Sequence, residues 1–140
     1  MPERGEIWLA NLNPRRGTEP GKTRPVLILQ SQALLDANHP STLIVPLTTS
    51  LVDDAEPLRI RIPASGRLRR NSDLLVDQLR AIDNRRLIQG PMTRLPHALM
   101  HRAGSPRCRS SSISRGAGIH AFQVWYCLTL IARWATDTSR

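Results

Sequence analysis

Apolar residues in the first hundred positions fall in short runs separated by turn signals, not in long helical stripes. Gly5 to Leu12 (GEIWLANL) alternates loosely and holds Ile7 and Trp8, which predicts a strand. Asn13 to Gly21 (NPRRGTEPG) contains two prolines and two glycines and is expected to be a loop. Pro25 to Gln30 (PVLILQ) is a continuous apolar run, the pattern of a buried strand. Ser31 then opens SQALLDAN as a candidate N-cap, predicting a short helix. Thr42 to Leu47 (TLIVPL) predicts another strand, with Pro46 placing it at an edge or bulge. Leu58 to Ile62 sets Leu58, Ile60 and Ile62 against Arg59 and Arg61, a half-buried strand with a basic outer face. Ser72 to Ile82 reads either as two strands broken near Asp77-Gln78 or as one helix. Gly90-Pro91 is expected to turn the chain into a final strand, and Pro96 to His101 to begin a helix. Five to seven short strands with few helices predict a mainly β fold, a small barrel or sandwich.

The pattern breaks after His101. Residues 103–118 are rich in Ser, Gly and Arg and read as linker or disorder, and an apolar segment, Ala121 to Trp134, follows. The expected division is a domain over 1–101 and an atypical tail over 102–140. Cys108, Cys127 and four of the five aromatic residues lie in that tail. Such a shift is what a frameshifted reading would produce. Re-reading the coding DNA beyond codon 101 in the other two frames distinguishes that from a genuine extension. If the extension is genuine, the apolar run Val124 to Ile131 is expected to be buried on the domain or between copies.

Composition narrows the classes. The 140 residues carry 20 Lys+Arg against 11 Asp+Glu, a net charge of +9, which points to a polyanionic partner. The surplus is uneven: residues 1–100 hold 14 basic and 10 acidic side chains, residues 101–140 hold six and one. The charged start of the chain does not read as a secretory signal, and no run reaches the length of a membrane span. Neither a CxxC spacing nor a phosphate-cradling glycine loop is present. His97 and His101 share a helix face without a clear third ligand, so neither a metal site nor a histidine-pair nuclease is expected.

Four ordered motifs carry chemistry: Arg4-Gly5-Glu6-Ile7-Trp8, Asn13-Pro14-Arg15-Arg16-Gly17-Thr18-Glu19, Gly21-Lys22-Thr23-Arg24-Pro25-Val26-Leu27 and Val45-Pro46-Leu47-Thr48-Thr49. With Val76-Asp77-Gln78-Leu79-Arg80-Ala81-Ile82, their order and spacing resemble the MazF/PemK family of toxin endoribonucleases over roughly residues 3–101. The resemblance implies an SH3-like antiparallel barrel of the MazF/PemK/CcdB type and a cytoplasmic homodimer checked by an acidic antitoxin. It further implies cleavage of single-stranded RNA without metal or other cofactor, leaving a 2′,3′-cyclic phosphate and a 5′-hydroxyl. Arg24 and Thr48 match the family's catalytic arginine and threonine. A planar guanidinium fork suits a phosphorane dianion, and a hydroxyl suits a phosphate oxygen. Glu19 also matches, either orienting Arg24 through an ion pair or accepting a proton. Arg15, Arg16 and Lys22 are expected to position phosphates, and Thr49, Asp77 and Gln78 to meet the RNA, Asp77 and Gln78 otherwise serving the barrel. The loop Leu51 to Pro57, with three acidic residues, is the expected specificity element. Two other readings stay open: a non-catalytic toxin that inhibits a topoisomerase, as a structurally similar family does, and an inactive nucleic-acid-binding remnant.

Overall fold

The computed structural model describes residues 1–56 and 58–104; the tail beyond, with His120, both cysteines and the apolar segment, lies outside them. Seven strands and two short helices follow one another as β1 (Glu6–Asn11), β2 (Thr23–Ile28), α1 (Gln32–Asp36), β3 (Ser41–Thr48), β4 (Arg59–Ile62), β5 (Ser72–Leu75), β6 (Arg80–Asp83), β7 (Leu87–Arg94) and α2 (His97–Gly104). All named pairings are antiparallel, in the order β4-β5-β3-β2-β1-β7, with β6 beside β3. The two ends of that order meet. Arg67 N donates to Met92 O at 2.9 Å, and the Ser65 and Thr93 hydroxyls lie 3.0 Å apart, so the β4–β5 hairpin closes onto β7. The fold is the small, mainly β barrel that the sequence predicts.

The apolar run of β2 exists because both of its faces are covered. Leu27 and Leu29 join Ile7, Val45, Leu47, Ile60, Ile62 and Leu74 in one core. Val26 and Ile28 point the other way, to Ala10, Leu12, Leu35 and Ile44. Helix α1 seals the second cluster with Leu35, and the Ser31 hydroxyl caps it by accepting from Leu34 N. Helix α2 seals the first with Ala103, Leu99 and Met100. No helix among the described residues is long and apolar enough to cross a membrane.

Pro46 is not at an edge: it lies inside β3, the strand with the most neighbours. Leu43 O accepts from Leu29 N on the β2 side, so by alternation Pro46 faces the opposite side. There β3 pairs with β6 over Ser41–Ile44 and with β5 only from Leu47, so the proline's missing donor falls in the gap. Gly90-Pro91 makes no turn either. It stands within the eight residues of β7, at an end of the strand order, where the register against β1 shifts. A Cβ on Gly90 would lie 2.2 Å from Trp8 Cδ2, so the strand passes the indole only because the residue is glycine. Ser72 to Ile82 forms two strands joined by a single 3-10 turn at Val76–Gln78. Leu58, expected on the buried face of its strand, is exposed just before β4 begins.

Candidate functional site

Arg24 and Thr48 stand at the neighbouring ends of two paired antiparallel strands. Val26 faces Pro46 and Leu27 faces Val45 across β2 and β3. The β2–β3 pairing ends there; Arg24 lies at the start of β2, and Thr48 lies at the end of β3, where it pairs with Asp73 of β5. Both are half-buried. Arg24 Nε donates to Gly21 O at 3.0 Å, which folds the side chain back along its own loop. Burial, then the charges of Arg80 and Arg15, hold the Arg24 guanidinium below its ordinary range. It remains a cation, but one that any added anion would relieve. Thr48 Oγ1 accepts from Ser50 N at 3.2 Å, which leaves its proton available to an incoming oxygen. Thr49 is exposed beside it.

The loop before Arg24 is tied off at its base. Leu12 N donates to Lys22 O at 2.9 Å, and Asn13 Oδ1 accepts from Lys22 N at 2.8 Å. Lys22 holds a φ of 64°, a left-handed turn that re-aims the chain into β2. Gly21 must be small, because a Cβ there would lie 2.8 Å from Arg15 Cβ. Arg15 Nε donates to Gly17 O at 3.2 Å, which keeps that side chain over the loop. Arg15, Arg16, Lys22 and Glu19 are therefore displayed on a closed, rigid-based loop.

Glu19 does not pair with Arg24. Its Oε2 accepts from Arg80 Nη1 at 2.9 Å, and Arg80 Nη2 also donates to Pro20 O at 3.0 Å. Arg80 stands at the start of β6, and its Nε is buried without a partner. These groups open on a polar cavity of about 440 Å³ lined by Arg16, Glu19, Arg80, Asp83 and Arg86, with Pro14 at its rim. Asp83 is held at a pKa of about 2 by the Arg85 side chain and backbone, so the cavity also contains one permanent carboxylate. Arg80 is the residue that sequence reasoning missed. Its signal was its place two residues after Gln78 in the last quoted motif.

Other expected residues are placed differently. Asp77 is exposed and Gln78 half-buried in the turn before β6, and neither side chain has a hydrogen-bond partner among the described residues. The basic outer face of β4 is already occupied. Arg61 pairs with Asp53 at 3.1 Å and with Asp73 at 2.8 Å, and Arg59 Nη1 donates to Ser50 O at 3.1 Å. Glu56 pairs with Arg102 of α2. Two of the three acids in the Leu51 to Pro57 loop thus serve internal ion pairs. Asp73 fastens that loop, accepting from Val52 N at 2.8 Å from its position opposite Thr48. Burial pushes the Asp73 carboxyl up, but the hydrogen bonds from Arg61 and Val52 outweigh it and leave it below the ordinary carboxylate value. His39 is turned onto Ser41 O, and His97 and His101 are exposed on α2. Among the described residues no group of three or more His, Cys, Asp and Glu side chains could hold a metal ion.

Known proteins are similar to this chain in sequence and in architecture. The family model described as PemK-like, MazF-like toxin of type II toxin-antitoxin system matches residues 3–105. An endoribonuclease MazF of Staphylococcus saprophyticus is 35% identical over 89 residues, covering 62% of this chain and 72% of that protein. The crystal structure of MazF from Deinococcus radiodurans superposes with a TM-score of 0.61 at 24% identity, over 73% of this chain and 88% of that one. A MazE-MazF crystal structure (Form-II) from the same organism does so with a TM-score of 0.56 at 20% identity, over 73% and 86%. The two structures share the fold.

Proposed function

The chain belongs to the PemK-like, MazF-like toxin family of type II toxin-antitoxin systems, and from that premise we propose that it is a metal-independent, sequence-selective endoribonuclease acting on single-stranded mRNA. What supports this reading is the family match together with the placing of Arg24 at the start of β2 and Thr48 at the end of β3, with the charges of Arg80 and Arg15 acting on Arg24. In the reaction the ribose 2′-oxygen bonds to the neighbouring phosphorus and the bond from phosphorus to the 5′-oxygen breaks. The 2′-hydroxyl proton leaves to a base and the 5′-oxygen gains one. The products are a 2′,3′-cyclic phosphate and a 5′-hydroxyl. Charge builds on the non-bridging oxygens, and fixed cationic donors there are the main source of rate.

Arg24 is assigned the electrostatic clamp on those oxygens. A guanidinium below its usual range is still far too weak an acid to shuttle protons near neutrality. Thr48 donates its hydroxyl to the same phosphate, and Glu19 is assigned as proton acceptor. Arg15, Arg16 and Lys22 position flanking phosphates from the loop, and Thr49, Asp77 and Gln78 meet the strand beside them. An acidic antitoxin is the second expected partner, supported by the solved MazE-MazF structures that share the fold. The homodimer and the cytoplasmic location, and the division into a barrel over 1–101 and a tail over 102–140, belong to the same proposal.

The test is incubation of the purified chain with a defined RNA in EDTA. Cleavage to cyclic-phosphate ends should persist in the chelator, and Arg24→Ala should lower it by about 10²–10³-fold. A folded protein that leaves the RNA intact overturns the assignment.

A further inference from the structure

Arg80 presents an anion site filled by a group from elsewhere in the chain. Its side chain is fixed at the start of β6 and only 21% exposed, while Glu19 reaches it from the β1–β2 loop and is 49% exposed. Two of its nitrogens are used, by Glu19 and by Pro20 O, but Nε is buried with no acceptor. A buried donor without a partner is costly and uncommon, and it marks a group whose full complement arrives with something else. A half-exposed ion pair is a weak tie. A phosphate presents more acceptor oxygens than one carboxylate and can engage a guanidinium through two parallel hydrogen bonds. The surroundings favour that exchange. Arg80 and Arg15 both press on the Arg24 guanidinium, and Arg16 and Arg86 line the same cavity as Arg80. Asp83 lines that cavity too but is engaged by Arg85, so Glu19 is the carboxylate that the loop sets against these cations.

We propose that Glu19 is a removable plug on Arg80, and that an RNA phosphate neighbouring the one cleaved displaces it and takes the guanidinium, Nε included. The inference rests on the endoribonuclease reading and names a phosphate subsite for it. It also gives Glu19 a reason to change role. Held on Arg80 Nη1, the Glu19 carboxylate is occupied; released, it is free to take the 2′-hydroxyl proton. Substrate binding thereby prepares the proton acceptor, and the unoccupied site stays closed.

The experiment uses the full chain and a 2′-O-methyl RNA, which binds but lacks the attacking hydroxyl. Glu19→Gln should tighten binding by about 2–5-fold by leaving Arg80 open. Arg80→Ala should weaken it by about 10-fold or more and lower the slope of log K against log salt by about 0.7, the share of one single-strand phosphate. The double variant should bind like Arg80→Ala alone, because the plug has nothing left to cover. Arg80→Lys should keep the salt slope while losing part of the affinity. Glu19 sits on an exposed loop, so its sign is readable even if Arg80→Ala folds poorly. Weaker or unchanged binding by Glu19→Gln, an unchanged slope in Arg80→Ala, or a double variant that still gains from losing Glu19 overturns the proposal. If the wild type cleaves in EDTA and these signs fail, only the plug falls; if the wild type neither binds nor cleaves RNA, the endoribonuclease reading falls with it.

Discussion

Asp73 shows how a single side chain can hold a site it does not enter. Its carboxylate is 2% exposed and accepts from both Arg61 Nε and Val52 N, each at 2.8 Å. Asp73→Ala would orphan a backbone donor and remove the strongest partner of Arg61, at a cost of about 1–3 kcal/mol, read as a lower urea midpoint. It should also loosen the Leu51 to Pro57 loop and, on the endoribonuclease proposal, shift which RNA sequences are cut. The charge state adds a pH signature. The folded carboxyl titrates below the unfolded value of 3.8, so the folded state binds fewer protons across that window and stability rises with pH. The contribution is complete above the unfolded value and fades as pH falls through the folded one. Asp83 adds a slope of the same sign between 3.8 and about 2. Urea melts of the wild type should therefore weaken steadily below about pH 4, and Asp73→Asn should flatten part of that decline. None of this was legible in the sequence, where Asp73 is one polar letter before Leu74-Leu75. Its partners are 12 and 21 residues away, and nothing in periodicity announces them. Arg80 escaped for the same reason, being joined to Glu19 across 61 residues. Arg24 and Thr48 stand out in the sequence only through the motifs that resemble the family; the structure adds that Arg24 is held by its own loop.

At the scale of the element, the strands that could be read directly are those whose side chains meet a uniform surrounding. β2 reads as buried because apolar clusters lie on both its faces, and α1 reads from its Ser31 cap. β7 misled because glycine and proline there answer to a neighbour. Gly90 lets the backbone pass Trp8, and Trp8 is held by donating Nε1 to Glu6 at 2.9 Å. Gly90→Ala should destabilise the protein by about 1–3 kcal/mol through overpacking. Pairing it with Trp8→Leu should recover part of the loss, measured as thermal midpoints of the two variants. If Gly90→Ala alone is neutral, the indole is free to move aside and the close approach does not constrain β7. Pro46 misled in the opposite sense: edge chemistry sits in a central strand, because that strand changes partner beside it.

At the scale of the molecule, helix α2 completes the barrel. Ala103 is 1% exposed, and Leu99 and Met100 pack against the same apolar cluster. The residues just past the position where the sequence shows its break are thus structural, and the helix runs on to Gly104. A chain truncated before His97 should lose about 2–5 kcal/mol and bind a hydrophobic dye at temperatures where the full chain does not. An unchanged midpoint would show that the barrel closes without its helix.

β3 belongs to two sheets at once, bound to β2 and β6 along most of its length and to β5 at its end. Arg24 and Arg80 therefore stand on one sheet, while Thr48 and the loop beyond it are held by the other. The division separates two tasks that one lineage must solve together. On the proposed function, the phosphate-binding arginines are carried by β2, β6 and the loop before Arg24, while Thr48 and the loop after it are carried by the segment braced by β4 and β5. The Leu51 to Pro57 loop can then vary while the arginines stay fixed, so long as the Asp73 brace beside Thr48 is kept.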